Sequence, residues 1–139
     1  MNLSKYQNKS VIRRLLKESK TIAVYGASNE KWRTSHGISK FLMGVGYEVI
    51  PVNPKYDEVL GVKCYPTLSD IEKQIDIVDV FRRSSELIPV AEEAVQIHAK
   101  SIWFQEGVVN ETAAEIASSG GLDVVMDRCI LKEYNILNS

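Results

Sequence analysis

Hydrophobic residues along this chain follow two spacings, one typical of buried strands and one typical of amphipathic helices. Short apolar runs rich in β-branched residues predict five strands, at Thr21 to Tyr25, Tyr47 to Val52, Asp76 to Phe81, Ser101 to Phe104 and Asp123 to Met126. Apolar residues at helical spacing predict helices at Asn8 to Lys20, Ser35 to Val45, Ser84 to Ala99 and Asn110 to Ser119. A hydroxyl followed three positions later by a carboxylate predicts a further helix start at Thr67 to Asp70.

This alternation of helices and strands determines the expected fold. Strands that alternate with helices pair in parallel and are joined by right-handed crossovers. We therefore expect an α/β protein, a single doubly wound Rossmann-type domain over residues 1–139. Its five-stranded parallel sheet is predicted to have the order 3-2-1-4-5, with strands numbered along the chain. Gly46 is placed to end the second helix, since glycine adopts the left-handed conformation freely. Pro51 cannot donate to a ladder, which weakens the prediction for the end of the second strand.

Composition excludes several classes of protein. Of the 139 residues, 45% are hydrophobic and 25% are charged, and the formal net charge is −1. This balance gives no electrostatic footprint for nucleic acid, and no apolar run is long enough to span a membrane. The N-terminus lacks the pattern of a signal peptide. We expect a cytoplasmic protein that binds neither nucleic acid nor membranes. Cys64 and Cys129 form no CxxC pair, so neither a metal site nor a disulfide is expected.

The segment after the first predicted strand has features of a phosphate-binding loop. In open parallel sheets, ligands bind at the carboxyl ends of the strands, near the point where the strand order reverses. Gly26 permits a sharp turn there, the next helix offers free N–H groups, and Arg33 adds a positive charge. Ser28, Thr34 and Ser35 add hydroxyl groups. The loop matches neither GxGxxG nor GxxxxGK[ST], so an ordinary strand-to-helix turn with an exposed arginine is the alternative.

The end of the second predicted strand bears on the type of nucleotide. An NAD-binding domain places a carboxylate there for the ribose hydroxyls, whereas this chain has Asn53-Pro54-Lys55. A lysine at this edge favours a nucleotide with an additional phosphate. Coenzyme A and NADP both fit this description. The structural alternative is a turn in which Lys55 is solvated.

The third and fourth predicted strands end in further candidates. Arg82 and Arg83 could bind a phosphate, or they could pair with Asp79, Glu86 or a neighbouring subunit. The fourth strand is followed by Gln105-Glu106-Gly107, in which the glycine permits close approach of a ligand. The alternative for that segment is a loop that starts the next helix.

Several segments together resemble a known family. From about Ile12 to Glu133, the chain is similar to the YccU-like coenzyme A-binding proteins. Their fold is similar to the coenzyme A-binding domain of the succinyl-CoA synthetase α subunit. The segments that carry the resemblance are IAVYGAS (Ile22 to Ser28), RTSHG (Arg33 to Gly37), GYEVIPVNPKYDEVLGVKCYPTL (Gly46 to Leu68), DIVDVFRRS (Asp76 to Ser84), WFQEGVVNE (Trp103 to Glu111) and GLDVVMDRCILKE (Gly121 to Glu133).

This resemblance implies coenzyme A or acyl-CoA bound along the carboxyl edge of the sheet. The first loop would hold the pyrophosphate, the second the adenosine and its 3′-phosphate, the third the adenine side, and the fourth the pantetheine arm. The family usually has proline and glycine where this chain has Lys31-Trp32, and it often ends in Glu-His where this chain has Glu133-Tyr134. The predicted cofactor-binding residues are Gly26, Ala27, Ser28, Arg33, Ser35, Asn53, Pro54, Lys55, Phe81, Arg82, Gln105 and Gly107.

Candidate catalytic groups are few, and we predict none. His98 falls on an apolar helical face and is expected to be packed, whereas His36 lies in the first loop. Arg128 could lower the pKa of the Cys129 thiol, although a cysteine just after a core strand more often fills space. The related synthetase uses a phosphorylated histidine on a second domain. We expect no such second domain in this chain.

The expected function is therefore a non-catalytic coenzyme A or acyl-CoA carrier or sensor. One alternative is an NADP-dependent oxidoreductase, which would need a proton donor such as a Tyr–Lys pair. The other is the coenzyme A-binding subunit of a multi-subunit acyl-CoA ligase. The possible protein partners are a ligase subunit or, in a homodimer, a second copy of this chain.

Overall fold

A five-stranded parallel sheet with helices on both faces forms the framework of the molecule, which confirms the predicted α/β class. The computed structural model describes residues 2–139. The strands are β1 (Thr21–Tyr25), β2 (Glu48–Val52), β3 (Glu58–Val59), β4 (Val62–Lys63), β5 (Ile77–Val80), β6 (Ser101–Phe104) and β7 (Asp123–Met126). The α-helices are α1 (Lys9–Glu18), α2 (Thr34–Gly44), α3 (Leu87–Gln96), α4 (Glu111–Ser119) and α5 (Ile130–Leu137), and 3-10 turns lie at Ser4–Tyr6, Leu68–Asp70 and Ser84–Glu86.

The order of strands in the main sheet is β2-β1-β5-β6-β7, so the predicted order 3-2-1-4-5 is wrong. The third long strand, β5, lies beside β1 instead of outside β2. The outer edge of β2 is covered instead by the chain around Tyr65. The Tyr65 N–H donates to the Pro51 carbonyl at 3.0 Å, and the Asn53 N–H donates to the Tyr65 carbonyl at 2.9 Å. β3 and β4 form a separate antiparallel hairpin just before Tyr65.

The helix predicted to begin at Thr67 does not form, and the segment is only the 3-10 turn Leu68–Asp70. The Thr67 hydroxyl donates to the Asp70 carboxylate at 2.8 Å and makes no capping bond to the backbone. Conversely, α5 was not predicted. It begins with the fully buried Ile130 and packs against α1 and α2.

The prediction of a packed His98 is also wrong. α3 ends at Gln96, and His98 is exposed with a φ of 57°. The Ala99 N–H donates to the Ala94 carbonyl at 3.1 Å and the His98 N–H to the Val95 carbonyl at 3.0 Å. These two bonds close the helix in a Schellman motif, which turns the histidine away from the apolar face. Gly46 ends α2 in the same way with a φ of 105°, as predicted.

The sheet separates two apolar clusters. One face packs against α1, α2 and α5, and the other packs against α3 and α4. Trp103, on the first face, is fully buried, and its indole N–H donates to the Arg128 carbonyl at 2.8 Å. None of the helices within residues 2–139 has the length and apolar character needed to cross a bilayer.

Candidate functional site

A cleft of about 600 Å³ opens at the carboxyl end of β5, beside the loop that follows β1. β1 and β5 are the neighbouring strands at which the strand order reverses, which is where open parallel sheets bind ligands. Three arginines line the cleft against one carboxylate, so it suits an anionic ligand. The lining residues are Arg33, Phe81, Arg82, Arg83, Glu86 and Val108.

Gly26 is needed just after β1 because the backbone of Phe81, the residue that follows β5, approaches it closely. Its φ is +91°, and a Cβ atom there would lie 2.3 Å from the Phe81 carbonyl oxygen. The N–H groups of Gly26 and Ala27 both donate to the Val52 carbonyl, at 2.9 and 3.3 Å. Contacts of these two residues with a pyrophosphate stay a prediction, and their N–H groups already have an acceptor.

Side chains from outside the β1 loop hold its carbonyl groups. The Asn53 side-chain amide donates to the Ala27 carbonyl at 2.8 Å, and His36 Nδ1 lies 2.8 Å from the Ser28 carbonyl. Because a carbonyl only accepts hydrogen bonds, Nδ1 of His36 carries a proton in this contact. Asn53 is thereby a residue that joins the loops after β1 and β2.

The Ser28 hydroxyl also serves the loop itself. It is almost fully buried and accepts a hydrogen bond from the Glu30 N–H at 2.9 Å. The Tyr56 hydroxyl lies 3.3 Å from the same Ser28 oxygen. Tyr56 was missed from the sequence, because no local signal connects the loop after β2 with Ser28. Together these contacts fix the β1 loop before any ligand arrives.

The start of α2 provides hydrogen-bond donors for an anion. Asn8 and Asn110 cap α1 and α4 with their side chains, whereas in residues 2–139 no side chain caps α2, α3 or α5. Its cap position is occupied by Arg33, and the nearly buried Ser35 lies in its first turn. The first N–H groups of an uncapped helix, together with the helix dipole, stabilise a phosphate.

Pro54 and Lys55 form an exposed turn after β2 and are not among the residues that line the cleft. The Lys55 N–H donates to the Asn53 side-chain oxygen at 2.9 Å. The Lys55 ammonium lies 5.6 Å from the centre of the Tyr56 ring. Its predicted contact with a 3′-phosphate would extend the site beyond the cleft toward β2.

The loop after β6 borders the cleft through Val108, which the sequence did not single out. Gln105 is buried, and its side-chain oxygen accepts a hydrogen bond from the Ile130 N–H at 3.3 Å. Gly107 has a φ of +82° and donates its N–H to the Asp127 carboxylate at 2.7 Å. Apart from Gly107 itself and its two chain neighbours, no atom of residues 2–139 lies within 4 Å of the position that a Gly107 Cβ would occupy, so a ligand could approach there.

The arginines that follow β5 are partly engaged within the protein. Arg82 forms an ion pair with Glu86, one of the alternatives considered from the sequence. The other alternative, a pair with Asp79, does not occur, because Asp79 is completely buried in β5 between Val24 and Trp103. Neither Asp79 carboxyl oxygen has a hydrogen-bond partner within the part of the chain that the structure describes. Burial raises the pKa of this carboxyl well above its usual range.

Arg128, the arginine beside Cys129, has hydrogen-bond partners of its own. Cys129 and Cys64 are both free. The Arg128 guanidinium is held by the Asp127 carbonyl at 2.8 Å and the Gln7 side-chain oxygen at 3.1 Å. Among residues 2–139, no three His, Cys, Asp or Glu side chains are placed to hold a metal ion.

Tyr134 occupies the position at which the resembling family often has histidine. Its ring makes edge-to-face contacts with Phe41 and Tyr47, with centroid distances of 5.5 and 6.1 Å. Together with Gly46, Tyr134 and Tyr47 line a hollow that lies at the amino ends of the strands, on the side away from the cleft. Tyr134 is therefore a packing residue.

A second cleft of about 600 Å³ lies along the outer edge of β2 and includes Glu48, Lys63 and Lys73. It contains none of the predicted site residues, and Glu48 and Lys73 pair with each other there. We favour the cleft beside β5 because it combines three arginines with the point of strand-order reversal.

Comparisons with known proteins give one matching family and several chains that are similar over most of their length. Residues 20–135 match the model of a family described as "CoA binding domain". The chain is 49% identical over 123 residues to the uncharacterized protein YneT of Bacillus subtilis, covering 88% of this chain and 91% of that protein. A hypothetical protein from Pyrococcus horikoshii superimposes with a TM-score of 0.93 at 37% identity, covering 100% of this chain and 98% of that one.

A third similarity extends to ligases. An ADP-forming acetate–CoA ligase of Archaeoglobus fulgidus is 30% identical over 122 residues, which are 80% of this chain and 18% of the ligase. The chain thus corresponds to less than a fifth of that enzyme.

Proposed function

This chain belongs to the CoA binding domain family, and on that premise we propose that it binds coenzyme A or an acyl-CoA as a carrier or sensor, without catalysing a reaction itself. The observation that carries the proposal is the cleft beside β5, with Arg33, Arg82 and Arg83 around the switch point of the sheet. Coenzyme A is a polyanion, with a pyrophosphate and a 3′-phosphate, and guanidinium groups bind phosphates by charge-assisted hydrogen bonds.

In this proposal, the pyrophosphate lies at the uncapped start of α2, beside Arg33 and Ser35. The loop Gly26 to Ser28 forms the floor of this position, held by Asn53 and His36. Because these contacts exist within the protein alone, the loop does not have to be ordered when the ligand binds.

The remaining parts of the ligand extend to either side. The adenosine and its 3′-phosphate lie toward Asn53, Pro54 and Lys55, and Phe81 and Arg82 border the adenine. The pantetheine arm passes Gln105 and Gly107, where the missing side chain of Gly107 and the open space beside it allow close approach.

Calorimetric titration with coenzyme A, acetyl-CoA, NADP, NAD and ATP in parallel tests this proposal. We expect coenzyme A and acetyl-CoA to bind with similar affinity, and more tightly than the other nucleotides. Tightest binding of NADP would instead favour the oxidoreductase alternative. Incubation with acetyl-CoA should release no free thiol if the protein is only a carrier or sensor.

The similarity to an ADP-forming ligase supports a second candidate, the coenzyme A-binding subunit of a larger acyl-CoA ligase. In that case a partner would supply the catalytic histidine. Purification of the tagged protein from its native cells, followed by an assay with ATP, acetate and coenzyme A, distinguishes the candidates. A copurified partner that brings ligase activity would support the subunit role, and a protein recovered alone and inactive would support the carrier.

A further inference from the structure

The β1 loop carries a tryptophan that the core does not need. Trp32 is 76% exposed, whereas the other tryptophan, Trp103, is fully buried. Exposing a large aromatic side chain to water forgoes the free energy that its burial would contribute. The contribution of Trp32 is therefore sought in its contacts with neighbouring side chains.

The neighbour that Trp32 contacts is an arginine of the cleft. The Arg33 guanidinium carbon lies 4.6 Å from the centre of the Trp32 ring, within the range of a cation–π interaction. On its Nε edge, the same guanidinium donates to the Glu30 carboxylate at 3.0 Å. The Arg33 guanidinium thus contacts both the Trp32 ring and, through its Nε edge, the Glu30 carboxylate.

The other edge of the guanidinium is unused. Within the described residues, the two terminal nitrogens of Arg33 have no hydrogen-bond partner, and Arg33 lines the cleft together with Arg82 and Arg83. Arginine loses considerable rotamer entropy when it is fixed in one geometry. A guanidinium that is fixed before the ligand binds does not lose that entropy on binding.

A direct role for Trp32 as a stacking platform fits the geometry less well. Trp32 is not among the residues that line the cleft, and one face of its ring is already occupied by Arg33.

We propose that Trp32 is a positioning residue that, together with Glu30, holds Arg33 toward a phosphate group of the bound ligand. The proposal rests on the proposed function, since it assigns a phosphate-bearing ligand to the cleft. It makes Trp32, one of the two positions in the β1 loop at which this chain departs from the resembling family, a determinant of affinity.

A double-mutant cycle with Trp32→Ala and Arg33→Ala tests this role, with coenzyme A as the probe in calorimetric titrations. Trp32→Ala should weaken binding about twofold to fivefold, the range of an exposed cation–π interaction. In the Arg33→Ala background, the same substitution should have no further effect, because the guanidinium that Trp32 positions is gone. Trp32→Phe, which keeps a ring, should restore most of the affinity.

Lys31→Ala is the matched control, because Lys31 is an exposed neighbour in the same loop, and it should bind like the wild type. Thermal unfolding followed by circular dichroism should be unchanged in Trp32→Ala, since the side chain is mostly exposed. A loss of the same size with and without Arg33 would overturn the positioning role and assign Trp32 to direct ligand contact.

Unchanged affinity of Trp32→Ala would also overturn the inference, while leaving the proposed function intact. A wild-type protein that does not bind coenzyme A would instead overturn the proposed function, and this inference with it.

Discussion

Individual residues around the cleft fall into those that hold the loops and those that are free to contact a ligand. Asn53, Ser28 and Gly26 make their contacts within the protein. Their types could be identified from the sequence as turn and loop residues at the strand ends. Their actual partners could not be identified, because the Phe81 carbonyl and the Tyr56 hydroxyl come from segments distant in the chain.

Gly26→Ala is expected to destabilise the fold by more than about 2 kcal/mol, because it combines an unfavourable φ with a backbone clash at Phe81. Gly37→Ala is the matched control. Gly37 lies in α2, and apart from its own neighbours and helix backbone no described atom lies within 4 Å of the position of an alanine methyl group. Alanine should therefore stabilise the protein by about 0.5–1 kcal/mol. Urea denaturation measures both free energies of unfolding. Equal stability of Gly26→Ala and wild type would show that the loop moves away from Phe81 at no cost.

Lys55 is expected to recognise the 3′-phosphate of coenzyme A. The side chain is exposed, so its contact contributes on the order of 1 kcal/mol, or about fivefold in affinity. Dephospho-coenzyme A should bind about that much more weakly than coenzyme A in the wild type, and equally to coenzyme A in Lys55→Ala. Titration calorimetry measures all four affinities. An undiminished preference for coenzyme A in Lys55→Ala would assign the 3′-phosphate to another residue.

Asp79 should make stability depend on pH. Because burial raises the pKa of its carboxyl, the folded chain holds the proton more tightly than the unfolded chain does. In the unfolded chain, the pKa of this carboxyl is ~3.9. The contribution of Asp79 to the free energy of unfolding is therefore largest when the pH is below the pKa of the carboxyl in the unfolded chain. It falls as the pH rises through the pKa of the carboxyl in the folded chain.

Asp79→Asn removes this titration and should stabilise the protein at neutral pH by on the order of 1–3 kcal/mol. Denaturation across a pH series measures the effect, with Asp57→Asn at an exposed position as control. A pH profile of Asp79→Asn parallel to that of the wild type would contradict the assignment.

At the level of helices and strands, hydrophobic spacing located most elements to within a few residues. The strand order was not predictable in the same way, because it depends on which edge of β1 receives β5. One signal was available, since proline inside a strand favours an edge, and Pro51 indeed lies on the outermost strand of the sheet. α5 was missed because its eight residues offer only about two turns of apolar spacing.

Ile130, at the start of α5, tests how much this unpredicted helix contributes. It is fully buried, so Ile130→Ala should lower the free energy of unfolding by about 2–4 kcal/mol. Ile136 lies in the same helix but is 67% exposed. Ile136→Ala should therefore change the free energy of unfolding by less than about 0.5 kcal/mol. Equal effects in urea denaturation would mean that α5 is not packed on the sheet as described.

For the molecule as a whole, net charge says little about the ligand. The formal charge of −1 conceals three arginines gathered from two loops around one cleft. Arg82 and Arg83 come close to Arg33 only because β5 lies beside β1. The sequence could suggest each arginine as a candidate, but it could not show that the three line one cleft. The proposed ligand site lies at the carboxyl ends of β1 and β5.

Amide chemical-shift mapping of the isotope-labelled protein during titration with coenzyme A tests this location most directly. We predict that the largest shifts occur at the start of α2, at Thr34 and Ser35, and around Arg82 and Arg83. Small shifts are expected along Glu48, Val49 and Lys73 in the second cleft. Largest shifts along the outer edge of β2, with Thr34 and Ser35 unaffected, would contradict the proposed site.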